Sequence, residues 1–275
     1  MTSPNPNVAG QAAPEADLTG WTASPFSAEG FTYDVYRKGE GPGVVLIPEM
    51  PGLHPGVLAL GNHLVDNGFT VASPSLYGTP GAAAVRPGML PVMLRGCVAK
   101  EFAAFATNAD RPIAHYLRAL ARDLNEKTPG KGVGVIGQCW SGGFALAAAV
   151  DDSVLAPVLS QPSLPVGLTA KQKADPGLSE GELKIIEQRA ANDGLCALAL
   201  RFSEDPLSPG ERFKTLKDRL GDAFEVIEIS SKKGNEHGFG KMAHSVLTLE
   251  VREQEGQPAY EARKRVVQFL KERLV

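Results

Sequence analysis

The segment from Val133 to Val150 constrains the fold of this chain more than any other. A short β-branched run leads through Gly137 to a single cysteine, Cys139, and an alanine-rich stretch follows. This order predicts a strand, a tight turn and a helix from Trp140 to Val150, with the thiol at the corner. Strand and helix pack closely at such a turn, and the flanking glycines and serine supply the small side chains that this packing requires. The segment therefore predicts a nucleophilic side chain at the end of a strand.

Apolar runs of strand length alternate with stretches of helical periodicity along most of the chain. Further strands are predicted at 31–37, 43–48, 69–74, 154–160, 196–202 and 224–229, helices at 57–67, 95–107, 112–127, 182–191, 211–220 and 260–274, and a loop at 75–90. This alternation predicts an α/β fold, with a mostly parallel central sheet and helices on both faces. We expect a single domain over residues 26–275. Residues 1–25, which are rich in Pro, Asn and Ala, predict a mobile tail.

The composition argues against several classes of partner. The formal net charge of -3 gives no electrostatic basis for binding nucleic acid, and no apolar run approaches the roughly 20 residues that span a membrane. The first residues have neither the basic nor the apolar region of a signal peptide. The three cysteines are far apart, so neither a disulfide framework nor a metal site is expected. We expect a cytoplasmic protein with reduced thiols and no cofactor, as a monomer or small homo-oligomer.

A catalytic cysteine needs partners, because the thiolate is the nucleophile and an exposed thiol is mostly protonated at neutral pH. The helix N-terminus predicted after Cys139 favours the anion. Asp205 and Glu49 each follow a predicted strand, so we expect them at the same sheet edge as the cysteine. The order nucleophile, acid, histidine is completed by His237 or His244. A lone cysteine is more often a small buried apolar residue, but this set of partners favours catalysis.

From about residue 28 onward the chain resembles the dienelactone hydrolase family of the α/β-hydrolase fold. The resemblance is carried by Pro48-Glu49-Met50-Pro51-Gly52, His63-Leu64-Val65-Asp66-Asn67-Gly68-Phe69, Pro74-Ser75-Leu76-Tyr77, Gly137-Gln138-Cys139-Trp140-Ser141-Gly142-Gly143, the Asp205 loop and the C-terminal histidine loop. It implies an enzyme that hydrolyses a small-molecule ester or lactone without a metal or cofactor.

The resemblance also implies a role for each matching residue. Cys139 is the nucleophile, Asp205 is the triad acid, and Glu49 is the acid that contacts the thiol. The backbone amides of Trp140 and Met50 form the oxyanion hole. In this family the resting cysteine is neutral, and substrate binding redirects the glutamate so that the thiolate forms.

Two histidines compete for the role of base. Glu236-His237-Gly238-Phe239 resembles one form of the family motif, and Ala243-His244-Ser245-Val246 resembles another. His244 lies 25 positions before Phe269, which is similar to the spacing in the family, whereas His237 lies 32 positions before it. The spacing favours His244, and His237 remains the alternative.

The substrate contacts depart from the family pattern. The family's characterised enzymes bind a substrate carboxylate through arginines, but no arginine stands beside Tyr77, and Thr248 occupies a position where one is expected. Tyr77 and Arg95 are the candidate substrate contacts, while Arg86 and Lys241 are further available cations. The resemblance therefore predicts the catalytic groups better than the substrate.

A second class of function stays open from the sequence. The same fold with a reactive Cys139 also suits a non-hydrolytic binding protein or a thiol-based sensor of oxidants or electrophiles. Turnover of an ester or lactone distinguishes the enzyme from the sensor.

Overall fold

The computed structural model describes residues 8–83 and 86–275, without the side chains of residues 86–90. One eight-stranded sheet runs through the molecule in the order β1-β2-β4-β3-β5-β6-β7-β8. The strands are β1 (Thr22–Ala28), β2 (Phe31–Lys38), β3 (Gly43–Ile47), β4 (Thr70–Pro74), β5 (Val133–Gln138), β6 (Val154–Ser160), β7 (Ala197–Phe202) and β8 (Phe224–Ile229). The helices are α1 (Pro55–Asp66), α2 (Arg86–Val98), α3 (Pro112–Lys127), α4 (Phe144–Ala148), α5 (Ala170–Ala174), α6 (Glu180–Asn192), α7 (Gly210–Leu220) and α8 (Pro258–Leu274).

The sheet is parallel from β4 to β8 and antiparallel where β1 and β2 join it. Every residue of β3, β5 and β7 is buried, as expected for parallel strands covered on both faces. Edge strand β8 is instead buried only at its two ends, Phe224 and Ile229, and the four residues between them are half-buried or exposed. The predicted α/β fold with a mostly parallel sheet is therefore confirmed.

Successive residues of β3 contribute to different hydrophobic clusters, because side chains along a strand point alternately to the two faces of a sheet. Val45 and Ile47 pack into the cluster that contains residues of α3, α4 and α6. Val44 and Leu46 pack into the cluster that contains residues of α1 and α8. The sheet thus lies between two helical layers, with one hydrophobic core on each face. Among the described residues, no helix is long and apolar enough to cross a membrane.

Four elements differ from the sequence-based predictions. Neither β1 nor the short helix α5 was predicted. α2 occupies residues 86–98, across the predicted loop at 75–90 and the predicted helix at 95–107. The prolines and glycines of that stretch indicated a loop, but Gly96 packs so closely that a Cβ atom would lie 2.7 Å from Cε of Met50. After Cys139 a 3₁₀ turn, Cys139–Ser141, precedes the short α4, so the predicted continuous helix to Val150 was wrong.

The N-terminal segment packs against the domain farther upstream than the sequence indicated. β1 begins at Thr22, so the sheet extends past the expected boundary between residues 25 and 26. Val8 is buried in the core, and Ala13 donates a backbone hydrogen bond of 3.3 Å to Val251. Residues 1–7 lie outside the described part of the chain, and mobility of residues 1–25 stays a prediction.

A buried arginine holds the loop that follows β6. The guanidinium of Arg212, on α7, donates to the backbone carbonyls of Pro162, Pro165, Gln172 and Asp175 at 2.6–3.1 Å. The carbonyls of Pro162 and Pro165 belong to irregular backbone, and those of Gln172 and Asp175 lie at the C-terminal end of α5, so regular secondary structure supplies donors to none of the four. One side chain therefore determines the path of this loop.

We expect Arg212→Met to lower the free energy of unfolding by about 3–5 kcal/mol, because it leaves several buried carbonyls without donors. Lys214→Ala on the same helix is the matched control. Its ammonium is exposed and pairs with the exposed Asp218, so a change within about 0.5 kcal/mol is expected. Urea denaturation of both variants measures the difference. Equal effects of the two substitutions would contradict the role assigned to Arg212.

Candidate active site

Cys139 stands directly after β5 in a strained backbone conformation. Its φ angle is +51°, in the left-handed region that a residue with a side chain adopts at a cost of about 1–3 kcal/mol. Gly137 has no space for a Cβ atom, which would overlap the carbonyl oxygen of Ser141. The sharp strand-to-turn geometry predicted from the sequence is therefore present, with Cys139 at its corner.

Ser141 fixes this corner to the neighbouring strand. Its hydroxyl accepts a hydrogen bond of 3.0 Å from the backbone amide of Gln138. The same hydroxyl lies within 2.9–3.2 Å of the carbonyl oxygens of Ile47, Pro48 and Gln138 and donates its one proton among them. The elbow is consequently tied to the end of β3, where Glu49 and Met50 follow.

His244 and Asp205 form a buried pair. Nδ1 of His244 lies 2.6 Å from Oδ2 of Asp205, and the other oxygen of Asp205 accepts from the Leu207 amide at 2.9 Å. The carboxylate is thus held at both oxygens and orients the imidazole. Among the described residues, Nε2 of His244 is buried and has no hydrogen-bond partner, which leaves it available to the thiol or to a substrate.

The pKa of His244 is raised well above the ordinary histidine value. Burial alone lowers this pKa, but the negative charge that an ionised Cys139 would carry and the hydrogen bond with Asp205 outweigh it. The direction favours the protonated form of the His244 imidazole. His244 is therefore suited to receive a proton from Cys139.

His237 lies elsewhere. It lines a surface cavity of about 720 Å³ beside β8 and α8, and its ring centroid lies 6.4 Å from that of Phe239. Neither Cys139 nor Asp205 lines that cavity. The structure therefore brings His244, and not His237, to Asp205; the role of either histidine in activity stays a prediction.

Cys139 opens into a cavity of about 400 Å³, a size common for small-molecule sites. Its wall contains residues from the ends of several strands. They include Glu49, Met50, Cys139, Trp140, Ser163 and His244. Glu49, Cys139 and Asp205 were expected at one sheet edge; Glu49 and Cys139 line this cavity together, and Asp205 is paired with His244, which also lines it.

The backbone amides of Met50 and Trp140 are free for the predicted oxyanion hole. The Met50 amide donates to no other group of the described residues. Trp140 is the second residue of the 3₁₀ turn, so its amide has no acceptor within that turn. Both residues line the cavity of Cys139. Their use as donors to a reacting oxygen stays a prediction.

Glu49 is buried and is surrounded by hydrogen-bond donors. Oε1 accepts from the Thr248 hydroxyl and lies 3.3 Å from Nε2 of His54. Oε2 accepts from the Ser245 hydroxyl at 2.8 Å and from the side-chain amide of Gln161 at 3.4 Å. The contact with the thiol expected from the family resemblance is not among the hydrogen bonds of the described residues, because both oxygens of Glu49 face other donors.

The tautomer of His54 follows from its neighbours. Nδ1 accepts a hydrogen bond of 3.1 Å from the Gly56 amide, and an amide can only donate. Nδ1 therefore carries no proton, so Nε2 carries it and donates to Glu49. Burial raises the pKa of Glu49, but the hydrogen bonds from His54, Thr248 and Ser245 outweigh burial and lower it. Glu49 is consequently ionised at neutral pH.

The two candidate substrate contacts line a different cavity from Cys139. Tyr77 and Arg95 belong to a neighbouring space of about 440 Å³. The Tyr77 hydroxyl donates to the Pro48 carbonyl, and burial raises its pKa well above the ordinary value. The side chain of Arg86 lies outside the described residues, and Lys241 is exposed. Contact of Tyr77 or Arg95 with substrate stays a prediction.

Two polar residues at the site were missed from the sequence. The Ser163 hydroxyl lies 3.9 Å from Sγ of Cys139, and the Ser163 amide donates to the Cys139 carbonyl at 2.9 Å. Ser163 follows β6, so the argument used for Asp205 would have found it. His54 lies at the start of α1 and had no local signal. Cys97 also lines the cavity.

The sheet order, the strained corner and the Asp205–His244 pair are those of an α/β-hydrolase. The chain belongs to the dienelactone hydrolase family: the sequence model of that family matches residues 30–274. It is therefore a hydrolase of a family that acts on esters and lactones.

Solved structures agree in fold. A dienelactone hydrolase-like promiscuous phosphotriesterase from metagenomic libraries is 17% identical, with a TM-score of 0.61 over 93% of this chain and 100% of the other. A dienelactone hydrolase from Anabaena variabilis is 14% identical, with a TM-score of 0.57 over 93% and 98%. These identities establish a common fold only. A search of curated protein sequences found no match.

We expect Glu49→Gln to lower the free energy of unfolding at pH 7 by about 2–4 kcal/mol, because it removes a charged acceptor from four buried donors. Since the folded pKa of Glu49 is lowered, its stabilisation is complete above the unfolded pKa of about 4.3 and is lost as the pH falls through the folded pKa.

Urea denaturation from pH 7 to pH 3.5 measures this difference. The gap between wild type and Glu49→Gln should shrink on acidification. Glu126→Gln, at an exposed position on α3, should differ little from wild type throughout. A gap that widens toward low pH would contradict an ionised, hydrogen-bonded Glu49.

Proposed function

We propose that this protein hydrolyses a small-molecule ester or lactone through a Cys139-His244-Asp205 triad. The observation that carries the proposal is the 2.6 Å pair of Asp205 and His244 beside the cysteine elbow, with the second nitrogen of His244 free toward the cavity. A nucleophile, a base and an orienting acid in this relation form the arrangement of covalent hydrolases.

The reaction proceeds in two halves. His244 takes the proton of Cys139, and the thiolate attacks the substrate carbonyl. The amides of Trp140 and Met50 donate hydrogen bonds to the resulting oxyanion. The carbon–oxygen bond of the leaving alcohol breaks as His244 returns the proton to it, leaving a thioester on Cys139. Water, deprotonated by His244, then attacks the thioester and releases the acid and the thiol.

Glu49 has a positioning role in this proposal. Its carboxylate accepts from Ser245 and Thr248, which both follow His244 in the same loop, and from His54 at the start of α1. Movement toward Cys139 would cost these hydrogen bonds, which are charge-assisted and therefore strong. We infer that Glu49 fixes the His244 loop, and that thiolate formation depends on His244.

The remaining expectations concern the setting of the enzyme. A cytoplasmic location suits a catalytic thiol, which an oxidising compartment would modify. The location and a monomeric or small homo-oligomeric state stay predictions, as does the absence of nucleic-acid partners.

We expect Cys139→Ala to lower kcat/KM for p-nitrophenyl acetate at least about 1,000-fold, because it removes the nucleophile. Cys97→Ala changes a thiol of the same cavity that is not in the triad and is the matched control for loss of a thiol. Steady-state absorbance measures both. Unchanged turnover by Cys139→Ala would contradict the proposal. Rapid alkylation of Cys139 in a wild type that turns over no ester or lactone would favour the thiol-sensor alternative.

The two histidines are separable by the same assay. We expect His244→Ala to lower kcat/KM by about 100-fold to 10,000-fold, the range of general base catalysis. His237→Ala should stay within about threefold of wild type, since its side chain lines another cavity. Full activity of His244→Ala, or the larger loss in His237→Ala, would show that the assignment of the base is wrong.

A further inference from the structure

We propose that the substrate carries an uncharged, apolar acyl group, and that a carboxylate on this group is rejected. This inference rests on the proposed function, because it concerns the cavity into which Cys139 opens. It identifies the substrate class from the chemistry of the cavity wall and of its mouth.

The wall of the cavity is mostly apolar, and its polar side chains are those of Glu49, Cys139, Ser163, His244 and Ser245. Met50, Trp140, Val166 and Leu249 contribute to it from four separate segments, and no lysine or arginine lines it among the described residues. An apolar acyl group would gain from leaving water here. A carboxylate would lose its hydration without gaining a cation.

One carboxylate of the cavity wall carries a fixed negative charge. Glu49 lines the same cavity as Cys139, and its oxygens are already satisfied by donors of the protein. A substrate carboxylate in this space would face a like charge with little water to screen it. Arg95 lines the neighbouring cavity and is not among the residues of this one. Electrostatic repulsion and the cost of desolvation therefore both disfavour a substrate carboxylate in this cavity.

The mouth of the cavity adds an exposed apolar rim. Met93, Phe105, Leu168 and Leu207 all line the cavity, yet they are 39%, 46%, 73% and 44% exposed. They come from α2, the segment after it, the loop after β6 and the loop after β7. Grouped exposed apolar side chains mark a binding surface. Their continuity with the cavity indicates an acyl group that extends from the thiol toward the surface.

Matched esters test the charge preference. p-Nitrophenyl pentanoate and mono-p-nitrophenyl glutarate have acyl chains of equal carbon number, and the second ends in a carboxylate. The methyl ester of the glutarate compound is the uncharged control of similar polarity. We expect kcat/KM for the carboxylate compound to be at least about 100-fold below that for the pentanoate, with the methyl ester close to the pentanoate. Background hydrolysis is subtracted for each ester.

A chain-length series tests the apolar contact. From p-nitrophenyl acetate to hexanoate, we expect kcat/KM to rise by up to about fourfold per methylene, which corresponds to about 0.8 kcal/mol. Values that fall from acetate onward would contradict the apolar acyl site. Because every substrate has the same leaving group, the series reports on the acyl group alone.

A substitution at the rim tests whether a cation in this cavity would allow a substrate carboxylate to bind. Leu168→Arg should raise kcat/KM for the glutarate monoester at least about tenfold over wild type, and Leu168→Gln, which adds polarity without charge, should not. A wild type that prefers the glutarate monoester would overturn the inference and leave the proposed hydrolysis intact. Loss of turnover on every ester would instead contradict the proposed function, and the inference with it.

Discussion

The buried carboxylate of Glu49 joins three parts of the molecule that are distant in sequence. It follows β3, accepts from Gln161 after β6, and accepts from Ser245 and Thr248 beside His244. A buried charge is stable only where donors surround it, and removal of a partner from such a set is strongly unfavourable. The relative position of strand ends and histidine loop therefore depends on this one group.

The chemistry of the site follows from the end of a parallel sheet. Strands β3, β5, β6 and β7 all finish at one edge, and the next residues supply Glu49, Cys139, Ser163 and Asp205. Two residues at this edge have a positive φ, Cys139 at +51° and Gln161 at +34°, and Ser141 holds the first of them. The sheet thus presents a thiol in the same site as His244, whose pKa is raised by its neighbours.

The sequence predicted those features that depend on local pattern. Apolar runs located the buried strands, and their common edge predicted that Glu49, Cys139 and Asp205 lie close together. α2 could not be predicted, because the prolines and glycines of its sequence are unfavourable in a helix. Its position is instead associated with the close packing of Gly96 against Met50 and Trp140. The hydrogen bonds of Glu49 with Ser245 and Thr248 could not be predicted either. These residues lie 196 and 199 positions from Glu49 in the chain, so no local sequence pattern indicates the contacts.

In the proposed reaction, Cys139 carries the acyl group during turnover. Rapid acid quenching of the enzyme with p-nitrophenyl pentanoate, followed by peptide mass spectrometry, measures this directly. We expect the mass of a pentanoyl group to be added to the peptide that contains Cys139. Hydroxylamine should remove this group, and the Cys139→Ala variant should not acquire it. An acyl group on a serine, or continued turnover with no adduct on Cys139, would contradict it.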